Sequence, residues 1–260
     1  MNPFELKQDA KKSIRSANQS PRKLTLYYAI CLSLVLIADT LYDHFGGMNL
    51  ESGLDGLSSR GAYHAVSYFL SLLVTILTTM WGYHYANYAL KLSRGQETSF
   101  RDFLTPFSRF GTVLLLAFLV EMYTYLWSLL FIIPGIVAAY RYRFATYIMF
   151  DYGCSASQAI RLSTQMTYGH KLDLFRLDLT FLWYAIPLAL PSTFVLAVNF
   201  GYITFPDAWV LPYNLLAVVY QAVWYTLFFP YVETTNAHAY NWVQNLQARR
   251  EEQSQTYLNP

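Results

Sequence analysis

Read for apolar and polar positions, the chain alternates long apolar runs with shorter segments whose apolar residues recur at helical spacing. Crossing a hydrocarbon core as a helix takes about 20 residues. Six runs approach or exceed that length: 24–44, 63–90, 111–133, 135–151, 177–199 and 209–232. Three polar–apolar segments stand before successive pairs of runs. Residues 4–17 align Leu6, Ala10, Ile14 and Ala17, and residues 99–110 align Phe100, Phe103, Leu104 and Phe107. Residues 155–168 align Ala156, Ala159, Ile160, Ser163 and Met166, with Gly169 as the stop. Ser99 and Asp102 resemble a capping box. The predicted fold is all-α: a polytopic membrane bundle of six transmembrane helices arranged as three hairpins, each preceded by an amphipathic cytoplasmic-side helix. Such helices lie in the membrane interface or pack on the inner end of the bundle, and the pattern fits both.

The connections complete this plan. Residues 46–61, GGMNLESGLDGLSSRG, read as a flexible loop. Residues 244–260 form a polar cytoplasmic tail that is expected to fray, leaving 1–243 as a single integral membrane domain. The first apolar run follows a long polar stretch with no small-residue cleavage site behind it, so it is expected to stay as a span.

Composition strengthens the membrane reading. Charged residues are 13% of the chain, against about 25% in soluble globular proteins. Placement of charge then sets orientation. All but three of the 18 lysines and arginines fall in the amino-terminal segment, in 91–110, in 152–176 or at the carboxyl end. The 45–62 loop holds only Arg60, and the 200–208 loop holds none. By the positive-inside rule both termini are cytoplasmic.

That sorting also bears on IIPGIVAAYRYRFATYIMFD, residues 132–151. One long helix kinked at Pro134 would carry Arg141, Arg143, Arg161, Lys171 and Arg176 outside. A hairpin turning at Pro134 and Gly135 keeps the loop-borne Arg161, Lys171 and Arg176 inside, and both residue types suit a turn. The hairpin leaves Arg141 about 9 Å and Arg143 about 12 Å below the corner. Two readings stand. Both side chains snorkel to the outer headgroups, or at least one pairs with Asp39 or Glu121 inside the bundle. Residues two apart on a helix point in different directions, so only one of the arginines faces any given partner.

Candidate chemistry is sparse. No HExxH, phosphate-binding glycine loop or G-x-S-x-G elbow occurs, and no cofactor is expected. His44, His64, His84, His170 and His238 form no metal-ligand spacing, so no metal site is predicted. Lys171 and Arg176, in GHKLDLFRLD, are candidate contacts to anionic headgroups or belong to local ion pairs. Pro187 and Pro191 remove two backbone donors and free carbonyls near Trp183 and Pro187, either as ordinary kinks or as a broken-helix site. Cys31 and Cys154 lie at different depths and are expected to stay unpaired.

Four stretches in order carry a resemblance: LKQDAKKSIR, IPGIVAAYRYRFATYIMFD, AIRLSTQMTYGHKLDLFRLDLTFLWY and FFPYVETTNAHAYNWV. Together they resemble a bacterial integral membrane family labelled domain of unknown function nine-seven-five. The resemblance implies a protein of the bacterial cytoplasmic membrane and transfers no catalytic residues. The function read from the sequence is a non-catalytic multi-pass membrane protein, accessory to envelope, membrane-protein or lipid processes. Its expected partners are the lipid bilayer and other membrane proteins, not nucleic acid. The alternative is a small transporter or channel built on Asp39, Glu121, Arg141 and Arg143.

Overall fold

In the computed structural model the chain is described over residues 1–51, 57–99 and 109–258. These residues are almost wholly helical, with no strand among them. In chain order the helices are α1 (Pro3–Ser16), α2 (Pro21–Glu51), α3 (Leu57–Ser93), α4 (Phe110–Leu130) and α5 (Ile132–Tyr142). They continue as α6 (Ala145–Tyr152), α7 (Ala156–Met166), α8 (Lys171–Leu179), α9 (Leu182–Asn199) and α10 (Asp207–Leu258).

Four stretches are long and apolar enough to cross a membrane: Pro21–Tyr42, Tyr63–Ser93, Phe110–Leu130 and Asp207–Gln253. α8 and α9 meet that test only together. Where the pattern predicts six crossings, the described helices offer four, or five with this pair. The shortfall lies at 135–151, which is two helices of 11 and 8 residues and not one. Between 11% and 17% of the most apolar window of each long helix is buried within the protein. Most of their apolar side chains therefore face outward, as a lipid environment requires.

The chain divides into two compact units. One comprises Met1–Pro21, Gly82–Leu182 and Pro230–Pro260, and the other Arg22–Trp81 and Trp183–Phe229. The first has a dense aromatic core. Tyr85, Tyr88, Phe144, Tyr147 and Tyr240 are buried, and the Tyr147 and Tyr240 rings stack at 5.4 Å. α1 joins this core through Leu6 and Ala10. Asn2 starts the helix by accepting from the Phe4 N–H at 3.1 Å, and Pro3 takes the first position, where no amide is needed. α7 buries Ala156, Ala159, Ile160, Ser163 and Met166, the five residues that the spacing placed on one side. That face is covered by α4, α5 and α6. Gln158 reaches back to accept from the Ser155 N–H at 3.1 Å, and Gly169 stands at φ +82° just past the helix.

In the second unit α9 keeps its two prolines inside a helix. Pro187 and Pro191 supply no N–H, which frees the Trp183 and Pro187 carbonyls, and a neighbouring side chain satisfies the second of these. The Tyr220 hydroxyl donates to the Pro187 carbonyl at 3.1 Å, and the Tyr213 hydroxyl to that of Pro191 at 3.1 Å. Trp224 Nε1 donates to the Tyr184 carbonyl at 2.7 Å. The α9–α10 pairing thus supplies a donor for the carbonyl that Pro191 frees, and adds two more bonds along the same face.

Three expectations need correction. The 46–61 stretch is not a loop throughout, because α2 runs on to Glu51 and α3 begins at Leu57. The 244–260 tail is helical as far as Leu258, as a continuation of α10. Propagating a formed helix costs little per residue, and the tail is rich in Gln, Glu, Arg and Leu. The second amphipathic segment and its Ser99–Asp102 cap lie largely outside the described residues.

The third correction concerns the hairpin. α4 and α5 do pack antiparallel, with Tyr123 and Tyr142 ring centres 6.0 Å apart. Yet the corner is Phe131, in an extended conformation with φ −162° and ψ 156°. Pro134 and Gly135 already belong to the first turn of α5, where proline costs no hydrogen bond. Gly135 matters for close approach instead. A Cβ there would sit 2.1 Å from Ser128 Oγ and 2.9 Å from Ser128 Cα. We expect Gly135→Ala to destabilise the hairpin by about 1–3 kcal/mol, the usual cost of overpacking. Thermal melting in detergent should show it as a lowered midpoint. Ser128→Gly should restore only part of the loss, because the Ser128 Cα remains in the way; an unchanged midpoint for Gly135→Ala would mean the helices are not so closely apposed.

Candidate functional site

Nothing in the residues YRYRFATY announces a helix break, since they contain neither proline nor glycine. The break at Arg143 and Phe144 is stabilised from outside. Buried Ser163, on α7, accepts from the Phe144 N–H at 3.1 Å and donates to the Arg141 carbonyl at 2.9 Å. Thr167 adds a donor to the same carbonyl at 3.3 Å. One hydroxyl thus stands in for a missing rung of the helix ladder.

The break aims Arg143 into the first unit. Arg143 Nη2 donates to Asp178 Oδ1 at 2.7 Å and to Asn236 Oδ1 at 2.7 Å, while Nη1 meets Asp178 Oδ2. The Tyr140 hydroxyl also donates to Asp178 Oδ2 at 2.8 Å. Asn236 leads on to Glu233, which accepts from the buried Tyr147 hydroxyl. The bidentate fork satisfies both charges with directional bonds. Three remote segments, on α5–α6, α8 and α10, are tied at this point.

A second cluster lies nearby in sequence. Asp151 accepts both guanidinium nitrogens of Arg94, at 2.6 and 2.8 Å, and the Tyr240 hydroxyl at 2.8 Å. Gln244 and Asn241 accept from the same guanidinium at 3.0 and 3.1 Å. At α1, the Lys7 ammonium donates to the Thr180 carbonyl at 2.8 Å and lies 4.0 Å over the Phe181 ring. Burial, and then the charge of Lys11, hold the Lys7 pKa below the ordinary lysine value.

The predicted cluster of Asp39, Glu121, Arg141 and Arg143 is not assembled as expected. Arg143 pairs with Asp178, the last residue of the GHKLDLFRLD stretch, which the sequence did not link to it. Glu121 is exposed and forms no ion pair among the described residues. Asp39 belongs to the second unit and lines a cavity of about 280 Å³ with Thr40, His44 and Asn214. Arg141 lies with its guanidinium 5.7 Å from the Trp127 ring centre. Of the candidate headgroup contacts, Arg176 is exposed and stands 4.0 Å from Asp173, while Lys171 is half-buried. Among the described residues no group of His, Cys, Asp and Glu is arranged to hold a metal ion. Asn236, Glu233, Arg94 and Asp151 were not anticipated; the one available signal was that polar residues recur in FFPYVETTNAHAYNWV right after an apolar run.

Replacing Ser163 with Ala leaves the Phe144 N–H buried without its acceptor, at a cost of about 1–3 kcal/mol. We expect a lowered melting midpoint for Ser163→Ala and a smaller drop for Ser163→Thr, which keeps the hydroxyl. Equal midpoints for Ser163→Ala and the parent chain would show that the break is held by other contacts.

Comparison with known proteins adds one match. Residues 129–247 fit a family described as Protein of unknown function (DUF975). No curated protein and no solved structure matches the chain. Three of the four stretches that carried the resemblance fall within the matched residues, and LKQDAKKSIR falls before them. Over 129–247, which include α5, the Arg143 network and most of α10, the chain carries the pattern of the DUF975 family, and the resemblance read from the sequence holds there.

Proposed function

We propose that the protein is a non-catalytic multi-pass membrane protein with both termini in the cytoplasm, acting as an accessory to lipid or membrane-protein processes. One observation carries the choice over a transporter. The arginine most suited to a transport path is consumed in a bidentate pair with Asp178, and that pair is itself fixed by Tyr140 and Asn236. A group that must release and rebind a solute is poorly served by so complete a set of internal partners. The orientation rests on charge sorting, supported by the closed hairpin. Arg109, before α4, donates to the Gly153 carbonyl, after α6, at 2.6 Å, so the ends of this hairpin lie on one side.

The variants Arg143→Leu and Asp178→Asn test the structural role. Each should reduce the amount of folded protein in membranes several-fold, the usual consequence of losing one to two kcal/mol or more. The exchange Arg143→Asp with Asp178→Arg should recover part of it. Single variants that accumulate and melt like the parent chain would remove the case against transport. Sidedness has its own measurement: a reporter fused after Gly153 should be active only if cytoplasmic, and activity confined to the outer face would reverse the threading.

A further inference from the structure

Arg141 remains unexplained by any of the networks above. Its Nε is buried and has no hydrogen-bond partner among the described residues. No carboxylate there stands within ion-pairing distance of it. It closes one end of a groove of about 250 Å³ whose other walls are Trp127, Ile133, Pro134, Val137 and Ala138. An apolar trough ending in a lone guanidinium is complementary to an amphiphile that carries a negative head.

The depth of this site decides which amphiphile. Arg143, two residues on, is bonded to Asp178, at the head of the fifth apolar run, and to Asn236, just past the end of the sixth. Both partners therefore mark the cytoplasmic edge of the apolar stretches. α7 meets the same level through Ser163 and exposes Gln158, Arg161 and Gln165, as a helix facing water or headgroups would. From Arg141 to the corner at Phe131 the α5 arm rises only about 15 Å, and from Tyr123, which packs on Tyr142, the α4 arm rises about 12 Å, half or less of a hydrocarbon core of about 30 Å; the earlier turns of α4, which bury Val113, Leu116 and Ala117 in the protein, continue below that level. The corner itself is bare and apolar: Phe131, Ile132 and Ile133 are 74%, 77% and 74% exposed. Tyr123, Tyr140 and Tyr142 gather toward the base, where aromatic residues favour the membrane interface, while Trp127 stands along the groove one turn from the corner.

The geometry points to a lipid site: α4 and α5 form a re-entrant hairpin immersed in the cytoplasmic leaflet, and its groove holds an anionic phospholipid of that leaflet. The phosphate sits on Arg141, and an acyl chain runs past Val137 and Pro134 toward Ile133 and the bilayer centre. The groove's polarity agrees with this placement, because head and tail then point as they do in the leaflet itself. Were the corner at the outer surface, the same groove would set a headgroup at mid-bilayer. The inference goes beyond the accessory function proposed above and rests on the cytoplasmic orientation proposed there, which the Gly153 reporter tests separately.

The full chain is reconstituted in phosphatidylcholine vesicles containing a minor share of brominated phosphatidylglycerol or, separately, brominated phosphatidylcholine. Subtracting the Trp127→Phe signal isolates the quenching of Trp127. Brominated phosphatidylglycerol should quench it about fivefold more effectively than the zwitterionic lipid, the preference that one basic residue gains from an anionic headgroup. Arg141→Leu should abolish the difference, and Arg141→Lys should retain part of it. Equal quenching by the two lipids in the parent chain, or a preference that survives Arg141→Leu, overturns the site. Millimolar inorganic phosphate should leave the preference intact; its loss would make this a site for free anions and overturn the lipid assignment. For the hairpin, Ile132→Cys in a chain with Cys31 and Cys154 replaced by Ser should resist a membrane-impermeant maleimide in sealed cells and react in detergent. Labelling from outside would mean that the hairpin crosses, and the cytoplasmic-leaflet site would fall with it.

Discussion

A guanidinium cannot leave water without an anion, and the first unit is organised around that constraint. Arg143 stands at a break in the helix that Ser163 on α7 caps, next to Phe144. Its carboxylate comes from α8 and its amide oxygen from α10. Removing one member of a fully buried pair costs about 3–5 kcal/mol. Here the cost is smaller, because the Asp178 side chain is 37% exposed. It is still large against the marginal stability of a folded chain. The same pair also fixes the register of three segments that are far apart in sequence, which apolar packing alone specifies poorly.

The parts of this fold that were legible in the sequence are those governed by local periodicity. The apolar runs of α2, α3, α4 and α10 are present as long helices, and the buried face of α7 is the one its spacing displays. The parts that were not legible depend on contacts made across the chain. Asp178 and Asn236 lie far along the sequence from Arg143, and no spacing rule links them. The break at Arg143 has no local signal, because the hydroxyl that supports it belongs to Ser163. Pro134 and Gly135 drew attention to the right hairpin but to the wrong residues. A proline near a helix start is as natural as one in a turn, and Gly135 answers to Ser128 and not to a turn geometry.

The two arginines illustrate how one short stretch divides its labour. Being two residues apart, they cannot share a face. Arg143 turns into the protein and is saturated with partners. Arg141 turns onto Trp127 and keeps a buried nitrogen without one among the described residues. The carboxylate that Arg143 meets is Asp178, not one of the two expected.

The second unit solves the opposite problem. Its helices bury little of their apolar surface in protein, so lipid takes the place of a core, and the backbone must be satisfied within the bundle. Prolines at 187 and 191 would leave carbonyls stranded in hydrocarbon. Tyr220 removes part of that cost by donating to the Pro187 carbonyl, and Tyr213 and Trp224 add donors across to α9 at the Pro191 and Tyr184 carbonyls. These bonds recur along two antiparallel helices and pin their register, as the ion pair does in the first unit. Tyr213, Tyr220 and Trp224 thus carry hydrogen-bonding duty between α9 and α10.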